Sequence, residues 1–511
     1  MKRIKVIIFF LVWALLSIPA ADGGQTELRI LYVNDFHGFA EPHQPVGAVE
    51  PLGGVAYLAG KVDRLRRGRP TLLLAGGDMT QGNNWANFFK GASSIELMNA
   101  MKFDALVVGN HEFDYGVGVL KKRISQARFP VLGANVQGLS AVKPYVIKKF
   151  PGLRVAIIGV VTQDTPVTTH PRNVVGLKFL NPDDTVAGYL EKLKNQADIF
   201  IVLTHLGHPV DRMMAVKVKG IDVIVGGHSH TKVMKPAVAG NTLVVQAWEH
   251  AKALGVLDLT IQDRKIVKYD GYLEEIKPVP GGENPAVQKI VAKYEGQLDR
   301  LVNVAIGEAE VDLDGQHVRT RETNLGNLIT DIIRETTGAT AAIINGGGIR
   351  TGIPKGVVKI KDVYTALPFD NYLVSLRLTG REIREALEHG VSSLGEPAGR
   401  FPQVSGLRFT YSLSAPAGSR VREVIIGGGP LDPVKEYAVA THDFLIAGGD
   451  GYKVFSRAIN TDNHGHLGGL LKSDRIIYND ASRWLRDVVI QYIQTNKKIT
   501  ARVEGRIQEI L

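Results

Sequence analysis

At 511 residues the chain is too long for one hydrophobic core, so two or more domains are expected. Its 44% hydrophobic content and mean hydropathy of +0.01 exclude both a disordered chain and a multi-span membrane protein; with no cysteine, disulfides, thiolate metal ligands and cysteine lipidation are excluded too. A net charge of +10 suits an anionic substrate, but no Lys/Arg-rich tract marks a nucleic-acid arm, so no nucleic-acid polymer is expected as a partner.

The N-terminus is chemically distinct. Lys2, Arg3 and Lys5 precede an apolar run over 6–16, and small residues follow at 19–21. This is the pattern of a secretory signal peptide, placed at 1–24. The run is shorter than the ~20 residues a membrane span needs, which argues against an uncleaved anchor. The expectation is a periplasmic or secreted protein with no stable membrane anchor.

From residue 28, short apolar runs alternate with polar or glycine-rich turns and helix-length segments. The runs are 28–33, 71–75, 105–108, 155–161, 199–203 and 221–225. This rhythm predicts a layered α/β domain over 25–276. The stretch KPVPGGENP at 277–285 breaks it, and Asn284-Pro285 reads as an N-cap followed by proline at the first helical position. Val287, Ile290, Val291, Tyr294, Leu298 and Leu301 then follow helical spacing, predicting a linker helix within 277–302. A second α/β segment over 303–511 carries a predicted helix at 326–336. The GGGP at 427–430 reads as a hairpin turn rather than a ligand loop.

The chemistry gathers where the strands of the first half end. Residues 28–33 run into Asp35 and His37, 71–75 into Asp78, and 105–108 into Asn110, His111 and Asp114. Residues 199–203 run into His205, and 221–225 into His228 and His230. The ends of strands in an open α/β sheet line one crevice, so these side chains should converge. Their number exceeds what one ion needs, which points to two ions sharing Asp78, each of its carboxylate oxygens facing a different ion. Two metals ~3.5–4 Å apart form a clamp for displacement at phosphorus. His111 adjoins a ligand without needing to be one; a carboxylate at Asp114 would fix its tautomer and raise its basicity, so that it stabilises growing charge in the transition state. Glu112 has no role on this reading, and His208 and His250 read as structural or supporting.

The order D-x-H, GGD, GNHEFD, T-H and GGHS resembles the metallophosphoesterases. With NGGGIR at 345–350, LPF at 367–369 and FLIAGGDGY at 444–452, it is similar to the secreted 5′-nucleotidase family, which includes the periplasmic UDP-sugar hydrolases and the 2′,3′-cyclic nucleotide phosphodiesterases. The resemblance spans about 28–508. It implies a layered αββα metallophosphoesterase domain joined by the linker helix to a second α/β 5′-nucleotidase C-terminal domain. It implies one metal site from Asp35, His37, Asp78 and His230, another from Asp78, Asn110, His205 and His228, and His111 with Asp114 as the catalytic pair. Position 230 departs from the amide typical of the family. Phe369 and Phe444 match the aromatic pair that stacks a base, Asp450 the ribose contact, and Asn345, Gly347 and Arg350 the glycine-rich substrate loop. Arg319 matches a clamp arginine, with Arg321 close enough to compete for the role.

The function this implies is a secreted phosphohydrolase with two divalent metal ions (zinc, manganese or similar), in which a metal-activated hydroxide releases phosphate from nucleoside 5′-monophosphates. Alternatives are a 2′,3′-cyclic nucleotide phosphodiesterase, a UDP-sugar hydrolase, a sulfur-ester hydrolase or a non-catalytic nucleotide-binding protein.

Overall fold

The computed structural model describes residues 25–44, 50–169, 171–393, 397–459 and 473–510; the predicted signal peptide at 1–24 lies outside them. Among the described residues no helix is long and apolar enough to cross a membrane.

The apolar runs of the first half assemble into two six-stranded sheets. One has the order Lys265–Glu275, Ala253–Gln262, Thr26–Val33, Thr71–Ala75, Ala105–Val107, Val131–Leu132, its last four strands parallel. The other has the order Ala237–Ala239, Thr242–Gln246, Val223–Gly226, Ile199–His205, Leu153–Val161, Tyr145–Phe150, its middle four parallel.

Strand side chains alternate between faces, and both faces of these strands are apolar. Leu28, Ile30, Leu72 and Leu74 meet Val155, Ile157, Ile201 and Leu203 of the facing sheet in a fully buried layer. Their neighbours Leu31, Val33 and Leu73 turn the other way, onto the helices Val55–Leu65 and Ala92–Met101. Ile158, Val202 and Ile224 likewise pack under Pro182–Leu193 and His208–Lys217. The result is the expected helix–sheet–sheet–helix sandwich. The polar strand ends are shared between the two stacked sheets, with Asp35, Asp78 and Asn110 from the first and His205 and His228 from the second.

The helix Pro285–Val302 begins as its sequence dictates, with the Asn284 side chain accepting from the Val287 amide at 2.9 Å. Val287, Val291, Tyr294 and Leu298 bury that helix against the first half. Beyond it, a five-stranded sheet has the order Pro402–Ser405, Ala341–Asn345, Glu436–His442, Tyr372–Thr379, Ile476–Trp484. The helix Asn324–Thr337 packs on it. It starts two residues before the predicted position because Thr323 caps it, accepting from the Gly326 amide at 3.0 Å. Gly427 and Gly428, at φ 60° and 85°, form the predicted hairpin turn between Val421–Ile426 and Gly429–Pro430.

Candidate active site

The polar strand ends converge because their loops are tied to one another. The Asp35 amide donates to the Gly77 carbonyl at 3.0 Å and the His37 amide to the Asp78 carbonyl at 3.1 Å. The main fastener is Glu112, which the sequence reading left without a role. One carboxylate oxygen accepts from the Asp78 and Gly109 amides at 2.8 and 2.6 Å. The other accepts from the Met79 and Thr80 amides at 2.7 and 3.1 Å and from the Thr80 hydroxyl at 3.1 Å. Glu112 thus clamps the Asp78 loop to the Asn110 loop. An acid within the polar cluster that directly follows the apolar run 105–108 was the available signal.

Two clusters of donor atoms result, Asp35, His37 and His230 in one and Asp78, His205 and His228 in the other. The imidazoles are oriented from behind. His37 Nδ1 faces the Gln81 carbonyl and His205 Nδ1 the Gly76 carbonyl, both at 2.7 Å, and His230 Nδ1 is hydrogen-bonded to Glu249. Each carbonyl demands an N–H at Nδ1, which leaves the Nε2 lone pair facing inward, the orientation metal-binding histidines require. His37 Nε2 lies 3.3 Å from His230 Nε2, and His230 Nε2 lies 3.3 Å from Asp35 Oδ1. His205 Nε2 lies 3.1 Å from Asp78 Oδ2 and 3.2 Å from Asn110 Oδ1. Two ligands at ~2.0–2.1 Å from one tetrahedral ion stand about 3.4 Å apart, so the spacing and the mixed N/O chemistry fit divalent metals.

Asn110 is aimed by its own amide, whose Nδ2 donates to the Thr168 carbonyl at 3.1 Å. Asp78 departs from the expected arrangement. Its Oδ1 accepts the His111 amide at 2.9 Å, so Oδ2 alone faces both clusters, 3.8 Å from His37 Nε2 and 3.1 Å from His205 Nε2.

The charges are mutually dependent. Burial pushes the Asp78 carboxyl up, but His205 and His111 outweigh it and hold the group well below the carboxylate range. Burial pushes His205 down, yet Asp78 carries it up to about 10. His228, buried beside His205, is lowered to about 3. A cation competes with protons for lone pairs of this kind.

His111 stands beside the clusters, its ring centroid 5.4 Å from that of His37. Its Nδ1 pairs with Asp114 Oδ2 at 2.7 Å, and Asp114 Oδ1 accepts the Thr169 hydroxyl at 2.6 Å. Burial pushes His111 down, but Asp114 and Asp78 raise it above the ordinary histidine value. Thr169 follows the strand Leu153–Val161, whose end showed no metal-type pattern.

The second half closes the site from above. Phe369 lies 5.7 Å from the His111 ring, and an Arg350 guanidinium nitrogen lies 3.0 Å from His37 Nε2. Burial and the charge of Arg319 lower Arg350 to about 10. Arg319 is the inward arginine of its segment; Arg321 is exposed, 4.0 Å from Asp314. Asp450 Oδ2 accepts from Asn345 Nδ2 at 2.6 Å, and Asn345 Oδ1 in turn lies 3.0 Å from His442 Nε2. A Cβ at Gly347 would crowd the Gly399 Cα at 3.0 Å and Asp450 Oδ2 at 3.1 Å, so glycine lets these backbones and Asp450 approach closely. Phe444 stacks on His442 with centroids 6.1 Å apart. Glu249, His442 and Thr169 are contributors that the motifs did not reveal. His250 stacks on Phe39, ring centroids 3.9 Å apart.

Residues 28–232 match the family described as Calcineurin-like phosphoesterase, and residues 305–457 the one described as 5′-nucleotidase, C-terminal domain. The human (Homo sapiens) 5′-nucleotidase is 32% identical, covering 96% of this chain and 92% of that protein. The Trifunctional nucleotide phosphoesterase protein YfkN of Bacillus subtilis is 34% identical over 96% of this chain, which spans 35% of that protein's length. Among solved structures, a 5′-nucleotidase precursor from Thermus thermophilus is 35% identical with a TM-score of 0.86, covering 95% of this chain and 99% of that one. With its paired histidine–carboxylate clusters at the strand ends, the chain belongs to the 5′-nucleotidase family of metallophosphoesterase hydrolases.

Proposed function

We propose that the protein is a secreted phosphohydrolase that binds two divalent ions and releases phosphate from nucleoside 5′-monophosphates. The observation that carries this reading is the set of inward-facing Nε2 lone pairs at ion-ligand spacing, with His111–Asp114 beside it and Arg350 above it. Asp35, His37, Asp78 and His230 would hold one ion, and Asp78, Asn110, His205 and His228 the other. Bound there, the ions supply Lewis-acid polarisation of the phosphoryl oxygens and lower the pKa of water.

The protein's own groups do the rest. Asp114 fixes Nδ1–H of His111, so a protonated Nε2 donates to a phosphoryl oxygen as charge grows on it. Arg350 and Arg319 offer planar forks to the phosphate. Phe369 and Phe444 would stack the base, Asp450 would accept from the ribose hydroxyls, and Asn345 and Gly347 would hold Asp450 and admit the ligand. The units 25–276, 277–302 and 303–511 would then be a metal domain, a linker helix and a nucleotide-binding domain that close on substrate. Scattering profiles with and without ligand test that closure, and identical profiles count against it.

The deciding assay is phosphate release from AMP before and after chelation, with activity returning on addition of zinc or manganese. Activity that is indifferent to chelator refutes the reading. One Bacillus relative is named a trifunctional nucleotide phosphoesterase, so 2′,3′-cyclic AMP and UDP-glucose belong in the same assay as alternative substrates. Secretion is checked by the mass of the mature protein, which should lack residues up to about 24 if the signal peptide is cleaved.

A further inference from the structure

The loop behind His230 holds an unusual concentration of backbone strain. Trp248, His250 and Ala251 have φ of 66°, 55° and 55°, three non-glycine residues in the left-handed region within four positions. Each is a backbone conformation that an L side chain disfavours. The strand end that supplies Asp35 holds them there. Asn34 accepts the Ala247 amide at 2.7 Å and donates to the Trp248 carbonyl at 2.5 Å, and the Asp35 carbonyl accepts the His250 amide at 2.8 Å. The residue this loop presents is Glu249. One of its oxygens bonds His230 Nδ1 and the other bonds the Lys252 ammonium. Lys252 is 5% exposed and lies 4.0 Å over the Trp248 ring, with Lys232 also 4.2 Å from that ring's centroid.

We infer that Glu249 is a positioning residue for His230: it fixes the proton on Nδ1 and holds Nε2, 3.3 Å from both Asp35 Oδ1 and His37 Nε2, as a ligand of one ion. The inference rests on the dinuclear reading above. A carboxylate behind a ligating imidazole fixes its orientation and raises its basicity, and losing such a partner typically weakens metal binding ~10–100-fold. The donors of His230, Glu249 and His250 also lie within 4.8 Å of one another. Both Glu249 oxygens are already engaged and His250 Nδ1 is 3.8 Å from the nearer one, so the group supports His230 rather than forming an ion site of its own. Imidazole at this position also favours zinc over manganese, which prefers oxygen donors.

The test uses the full chain, stripped with chelator and reloaded with zinc, with ions counted by elemental analysis and each affinity measured by chelator competition. Wild type should bind two ions. Glu249→Gln should weaken one of them ~10–100-fold and leave the other unchanged. His230→Asn should weaken the same ion and narrow the preference for zinc over manganese. Adding Glu249→Gln to His230→Asn should then change the affinity by less than about twofold, because the partner it positions is gone. Independently of any loss of folding in Glu249→Gln, the zinc-loaded wild type should show a downfield Nδ1–H proton resonance that His230→Asn lacks.

Unchanged affinities in Glu249→Gln overturn the inference, as does a fully additive double variant, an absent proton resonance, or an unaltered metal preference in His230→Asn. A third ion in wild type that Glu249→Gln removes overturns it in favour of a separate site. Fewer than two ions in wild type defeats the dinuclear reading itself, and is visible before any variant is made.

Discussion

Replacing Glu112 by glutamine exchanges one carboxylate oxygen for an NH2 group and opens the fastener between the Asp78 and Asn110 loops. The carboxylate accepts five hydrogen bonds, two at one oxygen and three at the other, and Glu112 is buried. Glutamine keeps one acceptor oxygen. Turned the better way, it retains the Met79 and Thr80 bonds and points its NH2 at the amides of Asp78 and Gly109, two donors against a donor. Each buried orphaned donor costs ~1–3 kcal/mol, so the substitution should destabilise by about 4 kcal/mol, a large share of the ~5–15 kcal/mol that holds a domain together. At ~2–4 °C per kcal/mol for a domain of this size, Tm falls by on the order of 10 °C. Because the same amides set the distance between Asp78 and Asn110, ion content after dialysis should fall as well. Thermal unfolding by circular dichroism and elemental analysis on one sample measure both. A Tm within about 1 °C of wild type with unchanged ion content refutes the clamp.

The other expectations concern turnover. His111→Ala should lower kcat ~10²–10⁴-fold while both ions stay bound, and full activity sinks its role. Asp114→Asn tests the sign of the coupling. Burial lowers His111, but Asp114 and Asp78 raise it; if the protonated ring is the active form, activity is lost as pH rises through that raised value. Without the Asp114 charge the alkaline limb of kcat/KM should move to lower pH, and an unmoved limb counts against the pairing. Phe369→Ala and Phe444→Ala should each weaken AMP binding by ~1–3 kcal/mol, read as a rise in KM, with little effect on release of phosphate from a substrate that has no base. Equal losses on both substrates would contradict stacking.

Much of this was legible because the periodic signals are strong. The run 71–75 is a strand as read, and Asn284-Pro285 starts a helix as read. The edge strands Tyr145–Phe150 and Lys265–Glu275 escaped notice. They are half exposed and lysine-rich, so they lack the continuous apolar run that marks a strand buried on both faces. Division into two sheets came from the family resemblance and not from the periodicity, since chain order gives the succession of strands and not which of them pair. The site was legible at the level of ligand types and illegible at the level of what aims them. Backbone carbonyls at Gln81 and Gly76 orient His37 and His205, and no residue type announces a carbonyl.

The deepest mismatch is conformational, and it follows the chemistry. Asp35, His37, Asp78, His228, His230 and Asp450 all have φ between 49° and 79°, where an L side chain is disfavoured and a turn rule would place glycine or asparagine. Glycine is present, but beside them. A Cβ at Gly77 would come within 2.4 Å of His205 Nδ1, and one at Gly109 within 2.2 Å of Asp78 Oδ1. The glycines therefore make room for the functional side chains, while the functional residues themselves take the strained backbone that turns them inward. A strand that ran on would send Asp35 and His37, two positions apart, to one face of its sheet rather than past the strand end into the crevice. Held strain of this kind persists only where surrounding bonds over-determine it. Glu112 supplies that constraint at the Asp78 loop and Asn34 at the 247–250 loop. Local sequence rules fail at these positions for the same physical reason that the site can work: the backbone is shaped for convergence rather than for its own lowest energy.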